Sequence, residues 1–304
     1  MRKTGMHQTM SVFISHSSKD ITRALQIERE LKKSGLPVWL DKSSIRLGVL
    51  LRNELQSAIK NSRVVVLLWS KAASKSRWVK AEIMTAFHLN RFILLYMCDN
   101  TEPPYFLQNA VYRDLQQAKA DWPKELYRNI KEAPKAANAV PPFMASQNTK
   151  LQKAIQVINQ KQHELFDLLD KGNLKGAIAL QRIIDNNIKA AKKAWPYDAT
   201  ILNLAGYHYK NAYMLKYDAQ IQAGRPPKNR LLQQAERFFF DSLFVNPYDY
   251  TSLNGLGSIL IYERDIEAAE FFVRRSINLA KQDGVSYEEA KHDLKVIQLF
   301  KSKS

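Results

Sequence analysis

The fold of this chain is decided by residues 63–89, which are RVVVLLWSKAASKSRWVKAEIMTAFHL. The apolar run 64–69 is too short for an ordinary helix and begins with three β-branched residues, which predicts a buried strand of a parallel sheet. After a polar crossing, residues 78–87 carry the period of an amphipathic helix. The apolar stripe of that helix consists of Val79, Ile83, Ala86 and Phe87, with Lys80, Met84 and His88 on its far side.

The same alternation of strand and helix continues through the N-terminal half. Strand-like runs lie at residues 11–16, 36–41, 92–97 and near 110–112, and helical patterns lie between and after them, the last at 124–131. The first helical pattern is carried by Ile21, Leu25, Glu28 and Leu31. Strands that alternate with helices predict an α/β doubly wound parallel sheet of flavodoxin-like type.

Polar residues stand where the predicted strands end. They are Ser15, His16, Asp41 and Ser70. In such sheets ligands bind beyond the carboxyl ends of the strands, so these residues are expected to line one crevice. Trp78 and Glu82 are four residues apart and share one helix face that borders the apolar stripe. Two plainer interpretations stay open: Glu82 as a solvated helix glutamate and His16 as a structural histidine at a strand end.

Three stretches of this half resemble Toll/interleukin receptor (TIR) domains. Residues 12–16 (VFISH) resemble the first sequence box of the family, and residues 39–48, with the pattern W-L-D-x-x-x-I-x-x-G, resemble its second strand and BB loop. Residues 76–82 (SRWVKAE) are similar to the segment that carries the glutamate of NAD-cleaving TIR enzymes. The three occur in family order, and together the resemblance covers residues 10–133.

The resemblance implies a site and a substrate. Glu82 is the expected catalytic residue, with Trp78 on the nicotinamide side of the pocket. Further substrate contacts are expected from Ser15, His16, Asp41, Lys42, Arg46 and Ser70. Lys42 and Arg46 are expected to contact phosphate, because the family's Tyr or Arg after the first strand is replaced here by His16-Ser17-Ser18. NAD⁺ is the substrate, with no separate cofactor or metal. The BB loop either gates the site or mediates self-association, and the sequence leaves both open.

Residues 134–148 break the alternation with several prolines and alanines and are predicted to form a linker. From residue 149 to residue 304 the pattern is helical, and it contains an internal repeat. Residues 196–206 (PYDATILNLAG) and 247–257 (PYDYTSLNGLG) are identical at seven of eleven positions, at an offset of 51 residues. The predicted division is therefore a TIR domain, a linker and a helical repeat domain.

The repeat resembles the tetratricopeptide (TPR) pattern, whose period is about 34 residues. The excess is assigned to a polar insertion at residues 220–229. Positions that match the pattern are Gly206, Tyr209, Ala235, Phe239, Ser242, Leu253, Leu256, Gly257, Leu260, Ala269, Val273 and Ser276. Residues 151–195 resemble a more divergent helix pair, with Ala177 at a packing position. Such arrays usually present a concave surface to a partner; a structural cap or a self-association module is the open alternative.

Composition sets limits on location and partners. The net charge of +17 is spread along the chain, with 22 Lys/Arg and 12 Asp/Glu in residues 1–133 and 24 and 17 in the remainder. This distribution does not single out a nucleic acid. The lone cysteine, Cys98, fits a reducing, cytoplasmic compartment. No secretory signal is visible, and no run approaches the roughly 20 apolar residues that span a bilayer.

The sequence therefore predicts a TIR–TPR protein that acts as an NAD⁺ nucleosidase, releasing nicotinamide and a linear or cyclic ADP-ribose product. The resemblance suggests a role in immune or antiviral defence, activated by self-association into a homo-oligomer. The rival prediction is a non-enzymatic adaptor that acts through contacts of its TIR and TPR domains. An adaptor has no need for Trp78 and Glu82 together at a pocket margin, which favours the enzyme.

Overall fold

The computed structural model describes residues 11–40, 50–108, 112–116, 122–134 and 146–302. The chain divides into two compact units, residues 1–141 and residues 142–304, which we call the sheet unit and the helical unit. Each unit contains a hydrophobic core of its own. The division falls within the predicted linker, and the finer domain limits at residues 133 and 149 stay a prediction.

The sheet unit contains a five-stranded sheet. Its strands are β1 (Val12–Ser15), β2 (Val38–Leu40), β3 (Val64–Trp69), β4 (Phe92–Met97) and β5 (Tyr112–Asp114). They lie in the order β2-β1-β3-β4-β5, and every neighbouring pair is parallel. β3 is buried along its whole length, as its unbroken apolar sequence requires. The predicted doubly wound parallel sheet is confirmed.

Four helices flank the sheet within the described residues: α1 (Ile21–Lys33), α2 (Leu50–Asn61), α3 (Arg77–His88) and α4 (Trp122–Glu132). α1 and α4 share one core with Val12 and Ile14 of β1, so both cover the same face. The side chains of α1 in that core are Ala24, Ile27 and Leu31. Leu25, which belongs to the helical period of the sequence, is 40% exposed, because the side chains buried in the core are those of Ala24, Ile27 and Leu31.

α3 covers the opposite face of the sheet. Successive residues of a strand point to opposite faces, so Ser15 points away from the core that Ile14 shares with α1. α3 packs against β1 and β4, and its predicted apolar stripe is buried. Lys80 and Met84, predicted on its far side, are buried as well. The reason is that α2 packs against α3, so the helix is enclosed on more than one side.

The helical unit contains seven helices within the described residues. They are α5 (Thr149–Asp170), α6 (Leu174–Ala194), α7 (Ala199–Gln222), α8 (Arg230–Val245), α9 (Tyr250–Tyr262), α10 (Ile266–Gln282) and α11 (Glu288–Ser302). Consecutive helices pack on one another, as expected for an array of helix pairs. The predicted helical region is confirmed, and its assignment to the TPR family stays a prediction. Across the described parts of both units, no helix has the length and apolar character needed to cross a membrane.

The internal repeat corresponds to two helix pairs, α7 with α8 and α9 with α10. Phe239 of α8 is fully buried between two glycines, one on each first helix. A Cβ on Gly255 would lie 2.3 Å from this ring, and a Cβ on Gly206 would lie 2.6 Å from it. Only glycine therefore permits the close approach. The predicted insertion at 220–229 is partly helical, because α7 continues to Gln222 and the loop occupies only residues 223–229.

Polar side chains connect the same helix pairs. Asp249, at the start of α9, accepts hydrogen bonds from Asn203 of α7 (3.3 Å), Ser242 of α8 (3.4 Å) and Ser252 (2.6 Å). One of its oxygens also accepts the backbone N–H of Thr251 at 3.1 Å, which caps α9. We call these residues the Asp249 network. The next repeat shows a related arrangement, in which Asn254 and Ser258 of α9 donate to Asp293 of α11.

Candidate active site

The strand order reverses direction at the junction of β1 and β3, which makes their carboxyl ends a topological switch point. Chain segments leave β1 and β3 toward opposite sides of the sheet there, and the crevice between them is where open α/β sheets bind ligands. β1 ends at Ser15 and β3 ends at Trp69, so Ser15 and Ser70 lie at this junction. Two of the predicted site residues are therefore brought to the same edge.

Glu82, on α3, also lies close to this edge of the sheet. The Ser15 hydroxyl donates a hydrogen bond to Oε2 of Glu82 at 2.5 Å. Both residues are buried, with Glu82 only 2% exposed. α3 begins at Arg77 because Ser76 caps it, accepting the N–H of Val79 at 3.4 Å. The glutamate is thus a buried carboxylate aligned by a hydroxyl, and the interpretation as a solvated surface residue does not fit its burial.

Trp78 precedes Glu82 by one helical turn and differs from it in exposure. Its side chain is 44% exposed, and the guanidinium of Arg77 lies 5.8 Å from its ring. A large, partly exposed indole beside a buried carboxylate could stack on an aromatic ring of a ligand. The role of Trp78 in substrate binding stays a prediction.

Ser70 is engaged within the protein. Its hydroxyl donates to Oδ2 of Asp20 at 2.7 Å and accepts the N–H of Ala73 at 3.0 Å. The same oxygen of Asp20 accepts the hydroxyl of Ser17 at 2.7 Å. We call Ser17, Asp20, Ser70 and Ala73 the Asp20 cluster. The predicted contact of Ser70 with substrate would have to replace one of these hydrogen bonds, or use the remaining lone pair of its oxygen.

Sequence reasoning missed Asp20 as a site residue. The pattern around it was interpreted as the polar start of a helix, and the structure indeed has a 3-10 helix at residues 18–20 that leads into α1. What the pattern could not give is the contact with Ser70, which lies 50 residues away along the chain. The available signal was a serine within two residues of the end of each of two neighbouring strands, Ser17 after β1 and Ser70 after β3. Asp20 is buried, although aspartate is rarely so, which marks it as specifically held.

The other predicted contacts divide into two groups. His16 is buried in the turn that follows β1, next to Ser15. Asp41, Lys42 and Arg46 lie outside the described residues. Trp39 of β2 stacks on Phe13 of β1 with ring centroids 5.3 Å apart, so it belongs to the packing of these two strands.

Cys98 lies directly after β4, at the same edge of the sheet. Burial raises the pKa of its thiol to about 11, with the nearby charge of Asp20 acting in the same direction. A thiol with such a pKa holds little thiolate at neutral pH and is a poor nucleophile. Its backbone carbonyl accepts a hydrogen bond from the guanidinium of Arg23 at 3.1 Å. In the part of the chain described, no three His, Cys, Asp or Glu residues come together as a metal site.

The arrangement suits stabilisation of positive charge. A carboxylate that accepts a hydrogen bond from a hydroxyl is held in one orientation, and a negative charge acts more strongly where water is excluded. Glu82 is held in this way, whereas Cys98 is disfavoured as a nucleophile. The site therefore matches a reaction in which a cationic carbon develops, more closely than one that begins with attack by a thiolate.

Comparisons with known proteins agree with the sheet topology. Residues 12–133 match the family described as the TIR domain, and this part of the chain is a TIR domain. A protein of Methanobrevibacter olleyae named "Probable 2' cyclic ADP-D-ribose synthase TcpO" is 34% identical to the chain over 77 residues. The matched stretch covers 25% of this chain and 23% of that relative. The chain thus corresponds to less than a quarter of the relative's length.

Proposed function

We propose that the TIR domain at residues 12–133 cleaves the bond between nicotinamide and ribose in NAD⁺, with Glu82 as the catalytic carboxylate. The observation that carries the proposal is the hydrogen bond from Ser15 to Glu82 at the carboxyl edge of the sheet. The name of the relative, a probable 2' cyclic ADP-D-ribose synthase, supports the same class of reaction. The products would be nicotinamide and either linear or cyclic ADP-ribose.

The proposed chemistry needs one well-placed carboxylate. When the ribose–nitrogen bond breaks, its electron pair stays on nicotinamide, whose ring becomes neutral, and positive charge develops on the ribose carbon. Such oxocarbenium-like centres are stabilised by a nearby carboxylate, as in glycoside hydrolysis. Water then adds to the carbon and loses a proton, which gives the linear product. A hydroxyl of the ADP-ribose group adding in place of water gives a cyclic product.

Access to Glu82 requires a change from the arrangement described above, because its side chain is nearly closed off from solvent. We propose that self-association of TIR domains supplies this opening, with the exposed Trp78 on the path of the nicotinamide ring. The helical unit would hold the assembly or respond to a trigger. By resemblance to its family, the reaction would serve immune or antiviral defence through loss of NAD⁺ or through a nucleotide signal.

The test is NAD⁺ loss and nicotinamide release by the purified full chain at high concentration, with and without a crowding agent. Glu82→Gln keeps the size of the side chain and an acceptor for Ser15 but removes the charge. We expect its rate to fall by about 100-fold or more, the range for loss of an electrostatic stabiliser. The matched control is Glu30→Gln, which changes a glutamate of α1 that pairs with Lys33 at the surface.

Two results would contradict the proposal. Equal NAD⁺ loss in the wild type and in Glu82→Gln would show that Glu82 is not the catalytic group. No loss in either protein, at any concentration and with crowding, would favour the adaptor function. Thermal unfolding of each variant, compared with the wild type, separates a lost reaction from a lost fold.

A further inference from the structure

We propose that Asp20 is a positioning residue that ties the carboxyl ends of β1 and β3 together and thereby sets the position of Ser15 and Glu82. The inference rests on the reaction proposed above, because it assigns a role within that site. Asp20 does not contact Glu82. It acts through the backbone of β1 and through Ser70, as the following contacts show.

The first step is the double contact of one carboxylate oxygen. Oδ2 of Asp20 accepts the hydroxyl of Ser17, two residues beyond β1, and the hydroxyl of Ser70, directly beyond β3, each at 2.7 Å. Side-chain hydrogen bonds to an ionised acceptor are stronger than those between neutral groups. All three residues are buried, so water competes weakly for these contacts. One aspartate therefore links the segments that follow β1 and β3, two strands that are already paired as far as Ser15 and Leu67.

The second step links this contact to the catalytic pair. Ser15 and Ser17 are two residues apart, so their Cα atoms are separated by at most about 7 Å. Ser15 donates to Glu82 from one face of the sheet, while Ser17 donates to Asp20. The segment between them is short, and Ser17 itself is further held because Asp20 donates its own N–H to the Ser17 carbonyl at 2.9 Å. Movement at Ser17 would therefore displace Ser15.

The third step concerns the end of β4, which is hydrogen-bonded both to α1 and to the segment after β3. Arg23, one turn after Asp20, donates to the carbonyl of Cys98 at the end of β4. The carboxylate of Asp99 in turn accepts the N–H of Lys71, just after Ser70, at 2.9 Å. Asp20, just before α1, and Arg23, in its first turn, thus contact the ends of three neighbouring strands. Asp20 is the member of this set that spans the switch point itself.

The experiment uses serines at the two ends of β3 as a matched pair. Ser70 follows the strand and Ser62 precedes it; both are buried, and Ser62 donates to the carbonyl of Ala58 at 2.8 Å. Ser62→Ala removes one hydrogen bond, whereas Ser70→Ala removes two, the one donated to Asp20 and the one accepted from the Ala73 N–H. We expect both variants to lose thermal stability, Ser70→Ala more than Ser62→Ala, but a lower kcat for NAD⁺ cleavage only from Ser70→Ala. Asp20→Ala and Asp20→Asn complete the set, because Asn retains an oxygen that can accept both hydroxyls.

For Asp20→Ala we expect kcat to fall by about 10- to 100-fold with KM within about threefold of the wild type, since misplacement by a fraction of an ångström has effects of this size. Asp20→Asn should recover most of kcat. Because Asp20 and Ser70 act as a unit, the double variant Asp20→Ala/Ser70→Ala should be no slower than Asp20→Ala alone. A wild-type kcat in folded Asp20→Ala, or equal kcat losses in Ser62→Ala and Ser70→Ala, would overturn the inference.

Amide hydrogen exchange gives a readout that does not depend on activity. The N–H groups of Lys19 and Ala73 are bonded to Ser17 Oγ and Ser70 Oγ respectively, so they report on the two strand ends. Asp20→Ala should accelerate exchange at both, while amides of α4 stay protected. If only one end responds, Asp20 does not couple the two and the inference fails. If the wild type cleaves no NAD⁺, the proposed function fails, and the exchange measurement alone decides whether Asp20 joins the strand ends.

Discussion

In both units of this protein carboxylates accept hydrogen bonds from serine hydroxyls, but at different kinds of place. In the sheet unit, Glu82 and Asp20 accept such hydrogen bonds at the carboxyl ends of parallel strands. In the helical unit, Asp249 accepts them at the start of a helix, where it also accepts the backbone N–H of Thr251. Residue chemistry alone therefore does not distinguish a reaction site from a structural joint.

The difference lies in recurrence and in what surrounds the carboxylate. The Asp249 network has a counterpart one repeat later, where Asn254 and Ser258 donate to Asp293, and both arrangements join consecutive helix pairs. A feature that repeats with the architecture indicates a structural role. The carboxylates of the sheet unit lie instead at a switch point, where the topology of the fold leaves a crevice. Position in the fold is thus the better guide to function.

The largest expected effect tests whether the helical unit is held mainly by apolar packing. Phe239→Ala removes the ring that lies between Gly206 and Gly255, and should lower the free energy of unfolding by about 4 kcal/mol. Gly255→Ala should cost about 2 kcal/mol, because the new methyl group overlaps the ring. Urea unfolding followed by far-ultraviolet circular dichroism measures both.

The two changes should also interact. In the Phe239→Ala background, Gly255→Ala should cost much less, because the atoms it would overlap are gone. NAD⁺ cleavage per folded molecule should be unchanged in every one of these variants. Full additivity of the two costs would show that Phe239 is not what makes glycine necessary at position 255.

A smaller effect tests the structural role assigned to Asp249. Asp249→Ala removes the cap of α9 and leaves the donors Asn203 and Ser252 without this acceptor, which should cost about 2 kcal/mol of stability. The rate of NAD⁺ cleavage should stay at the wild-type level. A variant as stable as the wild type but slow in NAD⁺ cleavage would contradict the structural role assigned to Asp249.

The smallest effect concerns pH and a buried histidine of the helical unit. Burial lowers the pKa of His208 below its ordinary value near 6.5, and the carboxylate of Asp185, 3.4 Å away, only partly offsets this. The unfolded chain therefore takes up a proton at this residue more readily than the folded chain. The stability contribution of the neutral ring is complete above about pH 6.5 and declines as the pH falls toward the folded-state pKa.

His208→Gln should remove this part of the pH dependence. The measurement is urea unfolding of the variant and the wild type at several pH values between neutral and mildly acidic, with Lys189 and Tyr209, which also lie near Asp185, unchanged. His163→Gln, at an exposed position of α5, is the control and should leave the dependence as it is. An identical dependence in His208→Gln and the wild type would contradict the assignment.

The sequence predicted the sheet, its order of elements and the helical repeat because hydrophobic period and turn residues are local signals. It failed where a residue's environment depends on distant segments. Met84 is the example in α3: the single apolar stripe was identified, but the contact with α2 that buries the opposite side is not encoded within the helix itself. Leu25 shows a second limit, since a residue can fit the helical period of the sequence and still have an exposed side chain.

At the candidate site, the proximity of Ser15 to Glu82 followed from strand-end reasoning together with family resemblance. The partner of Ser70 did not follow, because no pattern connects Asp20 to a residue 50 positions later. Asp41, Lys42 and Arg46 lie outside the described residues, and their roles stay predictions. Long-range hydrogen bonds between polar side chains are thus the information that composition and spacing lack.

Because α4 shares a core with α1, this core can be completed only after the chain has been synthesised as far as α4. Ile27 and Leu31 leave the ribosome about 100 residues before Leu126 and Ile130, the α4 side chains that share their core. During that interval the growing chain carries an uncovered apolar surface, the condition under which nascent chains require chaperones. Any shortened version of the sheet unit must therefore extend through Glu132, and versions that stop earlier should aggregate on expression.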